Sequence, residues 1–207
     1  MNDSFGRFGG ISAILVGVLS ILYAIFFLVI ARQAQYVGAL GSWIILAASG
    51  IFSSAAYVAL YQRLRGTAEG FALWALLLGV AASFATMVHG VYEALLLTRL
   101  RAGDPGEAAI RAAQQVPSQV DPAGLAAFFV VGIVALIFGW LIVRGVALPR
   151  NLGYVGIFNA LLLVILFFAS AGEIQPLILI SGGLTSVIVG PIWWIWLGLQ
   201  LMRTSRR

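Results

Sequence analysis

Residues 10–31 read GISAILVGVLSILYAIFFLVIA and contain no charged side chain. A helix that crosses the hydrocarbon core of a bilayer needs about 20 apolar residues, so this run is long enough to span. It is also longer than the apolar region of a secretory signal peptide, which has about 7–15 residues. We therefore expect an uncleaved transmembrane helix, although Arg7 and residues 31–34 loosely resemble the flanks of a signal peptide.

Five further apolar stretches follow the first. The six predicted spans are residues 10–31, 39–61, 70–98, 123–143, 152–171 and 176–202. The third and the sixth are longer than a straight span requires, which predicts tilt or a kink. The fold class predicted from this pattern is all-α: residues 1–207 form one integral membrane bundle of six transmembrane helices.

The composition of the whole chain agrees with this pattern and excludes several classes of protein. The chain has 207 residues, of which 62% are hydrophobic and 9% charged, whereas soluble domains average about 45–50% apolar and about 25% charged residues. There is no cysteine for a disulfide or a thiolate nucleophile, no lysine for a Schiff base, and one histidine, His89. We therefore expect no covalently held cofactor and no metal site.

The positions of the arginines predict the orientation. With six spans, both termini, the 61–70 loop and the 144–151 loop share one side of the membrane. That side carries Arg7, Arg63, Arg65, Arg144, Arg150, Arg203, Arg206 and Arg207, and the other side carries Arg32, Arg99, Arg101 and Arg111. The excess of positive charge favours a multi-pass protein of the inner membrane with both termini in the cytoplasm. The net charge of +5 is explained in this way, without a nucleic-acid partner.

The one sizeable loop, residues 99–121, lies between the third and fourth spans. Asp104 and Pro105 have the pattern of a helix start, and Pro117 that of a stop, which predicts a short helix over 104–116 on the outer surface. Asp121 and Pro122 repeat the start pattern and open the fourth span.

Polar side chains inside the spans are the candidates for function, because an ionisable group in hydrocarbon is costly and normally faces protein or water. His89 and Glu93 share a face of the third span, and Thr86 extends it. Asn159, Leu166, Ser170 and Glu173 share a face of the fifth span, and Ser181 and Thr185 one of the sixth. The tentative ligand-binding set is His89, Glu93, Thr86, Ser170, Glu173, Ser181 and Thr185. These residues predict an outward-facing polar cavity between helices 3, 5 and 6, or, alternatively, hydrogen bonds that only hold the helices together.

Gly190 and Pro191 interrupt the sixth span. They predict either a static kink or a hinge of the kind found in transporters. Trp193, two residues further on, lies deeper than an interfacial tryptophan needs to. It is expected to pack against the kink or to contact a pigment, a lipid or a partner subunit.

Three functions remain compatible with these residues. The first is a membrane protein that binds a small ligand or lipid in the cavity, as a transporter component does. The second is an accessory subunit of a larger membrane complex, since no catalytic residues are recognisable. The third is a lipid-modifying enzyme with His89 as its base, for which no nucleophile is apparent. The expected partners are membrane lipids and either subunits of a complex or further copies of the chain.

Residues 148–153, Leu-Pro-Arg-Asn-Leu-Gly, resemble the Val-Pro-Arg-Trp-Leu turn of a bacterial family of six-helix integral membrane proteins known only as a domain of unknown function. Pro191 and the segment 193–199 are similar to that family's last helix, and His89 and Glu93 correspond to a polar pair in its third. The resemblance covers roughly residues 60–202, with Asn151 where the family has tryptophan. It implies a six-helix membrane fold. It implies no activity and no functional residues.

Overall fold

The computed structural model describes residues 4–103, 106, 108–110, 112, 118 and 120–204. These residues form six long helices and, within that part of the chain, no strand. The helices are α1 Ser4–Gln33, α2 Gln35–Leu64, α3 Glu69–Ala102, α4 Pro122–Arg144, α5 Arg150–Ala171 and α6 Gln175–Arg203. Each is long and apolar enough to cross a membrane, which confirms the predicted all-α fold of six such helices.

The helices extend beyond the predicted spans because polar residues with good helix propensity continue the turns. The end of α3 shows this most clearly, since it runs through Arg99 and Arg101 to Ala102. The turns between helices are short. Only Ala34 separates α1 from α2, and at Gly38 a Cβ atom would collide with the backbone of Ala31. Glycine at position 38 therefore allows the two helices to meet so tightly.

The start of α4 is organised by Asp121, as its position before proline predicts. Its carboxylate is buried and accepts backbone N–H bonds from Ala126 at 2.6 Å and Ala127 at 3.1 Å. These donors lie further along the chain than in an ordinary N-cap. The reason is that Ala123 and Gly124 both have positive φ, which adds an irregular turn before the π-helical segment Leu125–Val130.

The six helices form a ring in chain order, with α6 closing against α1. Small residues allow close contacts between neighbours. A Cβ at Gly10 would lie 2.9 Å from the carbonyl oxygen of Gly198, and Ser53 and Ser83 hydrogen-bond across α2 and α3 at 2.8 Å. The ring arrangement places α3 beside α2 and α4, on the other side of the bundle from the α5–α6 contact.

The main core lies in the half of the bundle next to the two termini. Tyr57, Phe138, Trp193 and Leu197 are among its fully buried side chains. At the opposite end the buried cluster is small, consisting of Ala39, Leu97 and Ile110 with their neighbours. The predicted helix over 104–116 falls mostly outside the described residues, of which 108–110 and 112 are helical. Ile110 therefore ties the described part of this loop to α2 and α3.

Residues Gly190 and Pro191 do not break α6. The helix is continuous, and its irregularity is a π-helical segment over Leu184–Val189. Proline has no N–H and its ring crowds the carbonyl one turn earlier, so a local widening ahead of it relieves the clash. The backbone N–H of Gly190 donates to the carbonyl of Thr185, five residues earlier.

Candidate functional site

A cavity of about 130 Å³ lies inside the ring, halfway along the helices. Its walls come from α1, α2, α4, α5 and α6. The polar members of the wall are Ser20, Tyr57, Asn159, Thr185, Ser186 and Trp193. Asn159 and Trp193 each lie roughly ten residues, or about 15 Å, from the ends of their helices at Arg150 and Arg203. The volume admits several water molecules or one small organic molecule.

Three buried polar atoms in the cavity wall have no hydrogen-bond partner among the described residues. They are Asn159 Oδ1, Thr185 Oγ1 and Trp193 Nε1. Asn159 is 3% exposed and Trp193 1% exposed, so neither can turn to outside solvent. Buried polar groups are nearly always paired, and leaving one unpaired costs about 1–3 kcal/mol. One amide oxygen, one hydroxyl group and one indole N–H thus lie unpaired on residues that line the cavity.

The local structure of α5 and α6 explains how these atoms come together. A Cβ at Gly156 would lie 2.6 Å from Trp193 Nε1, and a Cβ at Gly190 would lie 3.6 Å from Asn159 Oδ1. Trp193 Nε1 and Asn159 Oδ1 therefore each sit against a glycine of the facing helix. The π-helical turn before Gly190 adds one residue to the helix and brings Thr185 to the same wall. Glycine on both helices thus makes room for the polar groups.

Aromatic rings close the cavity on the side of the termini. Trp193 and Trp194 pack edge to face with their ring centroids 4.7 Å apart. Tyr57 lies 5.5 Å from the ring of Trp194 and stacks on Phe138 at 5.9 Å. These side chains are almost fully buried, so this side of the cavity is an aromatic surface that belongs to the main core.

The cavity wall is uncharged. Its described residues include no Asp, Glu, His, Lys or Arg, and the described part of the chain holds no group of three or more potential metal ligands. Neutral hydroxyl, amide and indole groups offer hydrogen bonds but no compensation for a full ionic charge. The site is therefore suited to an uncharged ligand.

His89 and Glu93 lie elsewhere, on α3. His89 is 9% exposed, its Nδ1 is 3.1 Å from Ser118 Oγ, and its ring meets that of Trp43 edge to face at 5.1 Å. Glu93 is half-buried and Thr86 is buried, one turn from His89 on either side. His89 thus connects α3 to α2 and to the 103–121 loop.

The remaining predicted residues divide between the cavity and other surroundings. Thr185 and Gly190 line the cavity. Ser181 is buried and donates to the carbonyl of Leu177 in its own helix. Ser170 is half-buried, and Glu173 is exposed in the α5–α6 turn with φ of 54°. The predicted cavity between helices 3, 5 and 6 thus differs from the observed one, to which α3 contributes no described lining residue.

Sequence reasoning left Tyr57, Asn159, Ser186 and Trp193 out of the predicted ligand-binding set. Two signals pointed toward them. Asn159 is an amide within a strongly apolar span, and Trp193 lies deeper than an interfacial tryptophan needs to. The π-helical segment, which turns Thr185 and Ser186 toward the cavity, has no comparable signal in the sequence.

Comparison with protein-family models, with curated proteins and with solved structures finds no match for this chain. The resemblance of residues 60–202 to a six-helix bacterial family therefore stays a prediction.

Proposed function

We propose that this chain is a six-span protein of a bacterial inner membrane that binds a small, uncharged, hydrogen-bonding molecule in the cavity between α5 and α6. The length and apolarity of the six helices support the insertion, and the distribution of the arginines supports cytoplasmic termini. In this arrangement the cavity lies about 15 Å from the cytoplasmic ends of the helices, which is the middle of a hydrocarbon core about 30 Å thick.

The unpartnered polar atoms of Asn159, Thr185 and Trp193 carry the proposal. At the middle of a bilayer no outside water is available, and an unsatisfied polar group there costs several kcal/mol. Three such atoms around one cavity lower the stability of the empty protein. Binding sites commonly carry such a loss of stability. A bound molecule that carries both hydrogen-bond donors and acceptors would restore the missing hydrogen bonds.

Photolabelling with azibutanol, a short alcohol that carries a diazirine, tests this function. The purified protein in phosphatidylcholine nanodiscs is irradiated with increasing probe, and the adducts are mapped by peptide mass spectrometry. We expect saturable adducts on the peptides that contain Asn159, Thr185 and Trp193. Replacing Asn159 with leucine should abolish the saturable part, because an unpaired hydrogen-bond acceptor of the wall is lost.

The matched control is Asn151→Leu, which makes the same exchange at an exposed position of the same helix and should leave labelling unchanged. Labelling that does not saturate, or that is equal in the wild type and in Asn159→Leu, would mean that the cavity holds only water, and it would overturn the proposed function.

A further inference from the structure

An apolar groove of about 400 Å³ lies on the outer surface of α6 and shares no lining residue with the internal cavity. Its wall consists of α6 residues between Val187 and Leu199, together with Ile21 of α1. Ile192 is 52% exposed and Leu199 is 40% exposed, so the groove is open to the surroundings of the bundle. At the rise of an α-helix it is about 18 Å long, which is more than half of a hydrocarbon core about 30 Å thick. One acyl chain of one leaflet therefore fits along it.

Close contacts between α1 and α6 show how the two helices are aligned. A Cβ at Gly17 would lie 3.1 Å from the carbonyl oxygen of Pro191, and a Cβ at Gly10 would lie 2.6 Å from Met202 Cγ. Residue numbers fall along α1 as they rise along α6, so the two helices run antiparallel. The N-terminal end of α1 thus lies beside the C-terminal end of α6.

Two arginines stand at the end of the groove that is next to the chain termini. Arg203 follows Leu199 by four residues, about 6 Å, and shares its face of α6. Arg7 precedes Ile21 by four helical turns and lies on nearly the same face of α1. Both arginines are exposed, and the described lengths of α1 and α6 contain no Asp or Glu. A groove that is apolar along its length therefore ends at two positive charges.

From this arrangement we infer that the α1–α6 surface binds an anionic phospholipid, with one acyl chain in the groove and the phosphate held by Arg7 and Arg203. The planar guanidinium group binds phosphate through paired hydrogen bonds. Its charge favours a lipid of net negative charge over a zwitterionic one, in which a cation in the head offsets the phosphate. The site uses the proposed insertion into a membrane, but it is independent of the ligand in the cavity.

Photolabelling with two lipid probes tests this preference. Phosphatidylglycerol and phosphatidylcholine, each with a diazirine in the acyl chain, are added in turn as tracers to the full chain in phosphatidylcholine nanodiscs. Peptide mass spectrometry gives the ratio of phosphatidylglycerol to phosphatidylcholine adducts at each position. We expect a ratio well above one in the groove, at Ile192 and Leu199. The ratio should be near one at Phe84, which is 63% exposed near the middle of α3.

Removing the arginines tests what holds the head. Arg7→Gln and Arg203→Gln should each lower the groove ratio about fivefold, which is the contribution of one basic residue near an anionic membrane surface. The double variant should lower it to the value at Phe84. Arg65→Gln combined with Arg150→Gln is the matched control, because it removes the same charge from exposed positions at the same end of the bundle and should leave the ratio unchanged.

Three results would overturn the inference. The first is a groove ratio in the wild type that equals the ratio at Phe84, since the groove would then make only ordinary lipid contacts. The second is a groove ratio that persists when Arg7 and Arg203 are both replaced. The third is an equal fall in the control variant, which would assign the effect to the overall surface charge.

Azibutanol labelling of the cavity distinguishes this inference from the proposed function. It should be the same in Arg7→Gln, in Arg203→Gln and in the wild type, which also shows that these variants fold. If azibutanol labels saturably while the lipid ratio in the groove is one, the lipid site is wrong and the cavity function stands. A ratio above one without saturable azibutanol labelling means the reverse. If no helix carries lipid adducts, the chain does not insert and both proposals fail.

Discussion

The backbone N–H of Gly190 donates to the carbonyl of Thr185, and a Cβ atom at position 190 would collide with that same oxygen. The π-helical turn of α6 therefore depends on the absence of a side chain at one residue. Because this turn carries Thr185 and Ser186 into the cavity wall, the hydrogen bond links the backbone of α6 directly to the candidate site.

Gly190→Ala should lower the free energy of unfolding by about 1–3 kcal/mol, since the added methyl group must displace a backbone carbonyl in a close-packed region. Thermal unfolding in detergent measures the change. Gly183→Ala is the matched control, because a Cβ there meets nothing within 4 Å and alanine favours the helix. A Gly190→Ala protein as stable as Gly183→Ala would show that the π-helical turn has no steric requirement at this position.

Asn159→Leu should have the opposite effect on stability. The substitution removes a buried acceptor that has no partner and keeps a similar volume, so we expect the free energy of unfolding to rise by about 1–3 kcal/mol. Equilibrium unfolding in mixed micelles of sodium dodecyl sulfate measures the gain. Asn151→Leu, at an exposed position, should change it by less than about 0.5 kcal/mol. A destabilised Asn159→Leu protein would indicate that the amide is already satisfied in the unliganded protein.

The number and type of the helices could be predicted from the sequence because apolar length alone specifies a spanning helix. The contact by which α6 closes against α1 could not, because packing in an apolar medium is decided by small residues such as Gly10 and Gly198, which recur throughout the chain. The depth of a residue along its helix was therefore predictable from the sequence, whereas the neighbouring helix that its side chain faces was not. His89 and Thr185 were assigned to one cavity for this reason, and the ring separates them.

The hydrogen bond between Ser53 and Ser83, 2.8 Å long, should couple α2 to α3. Both hydroxyl groups are buried, so Ser53→Ala and Ser83→Ala should each cost about 1 kcal/mol, and the double variant should cost less than the sum of the two. A double-mutant cycle of unfolding free energies gives the coupling, expected near 0.6 kcal/mol, as for polar pairs between helices in membranes. Ser54→Ala is the control, because that hydroxyl bonds only within its own helix, to Ile51. Strict additivity would show that the contact contributes nothing.

The proposed orientation rests on the balance of arginines between the two sides of the membrane. Arg63, Arg65, Arg144 and Arg150 flank the turns on the side of the termini, and the excess of positive charge there should keep these turns in the cytoplasm. Fusions to green fluorescent protein and to alkaline phosphatase check this. After residues 66 and 207, the green fluorescent protein should fluoresce and the phosphatase should be inactive. After residue 105, the phosphatase should be active and the green fluorescent protein should not fluoresce.

Arg99 and Arg101 on the opposite side weaken the bias. Replacing both with glutamine should therefore increase the difference in reporter signal between the two sides of the membrane. Replacing Arg63 and Arg65 should decrease this difference, because the two pairs act on the same helix, α3, from opposite ends. Active phosphatase at residues 66 and 207 would invert the proposed topology. The cavity would lie at the middle of the membrane even then. Inversion exchanges the two ends of each helix, and Asn159 and Trp193 lie near the middle of theirs.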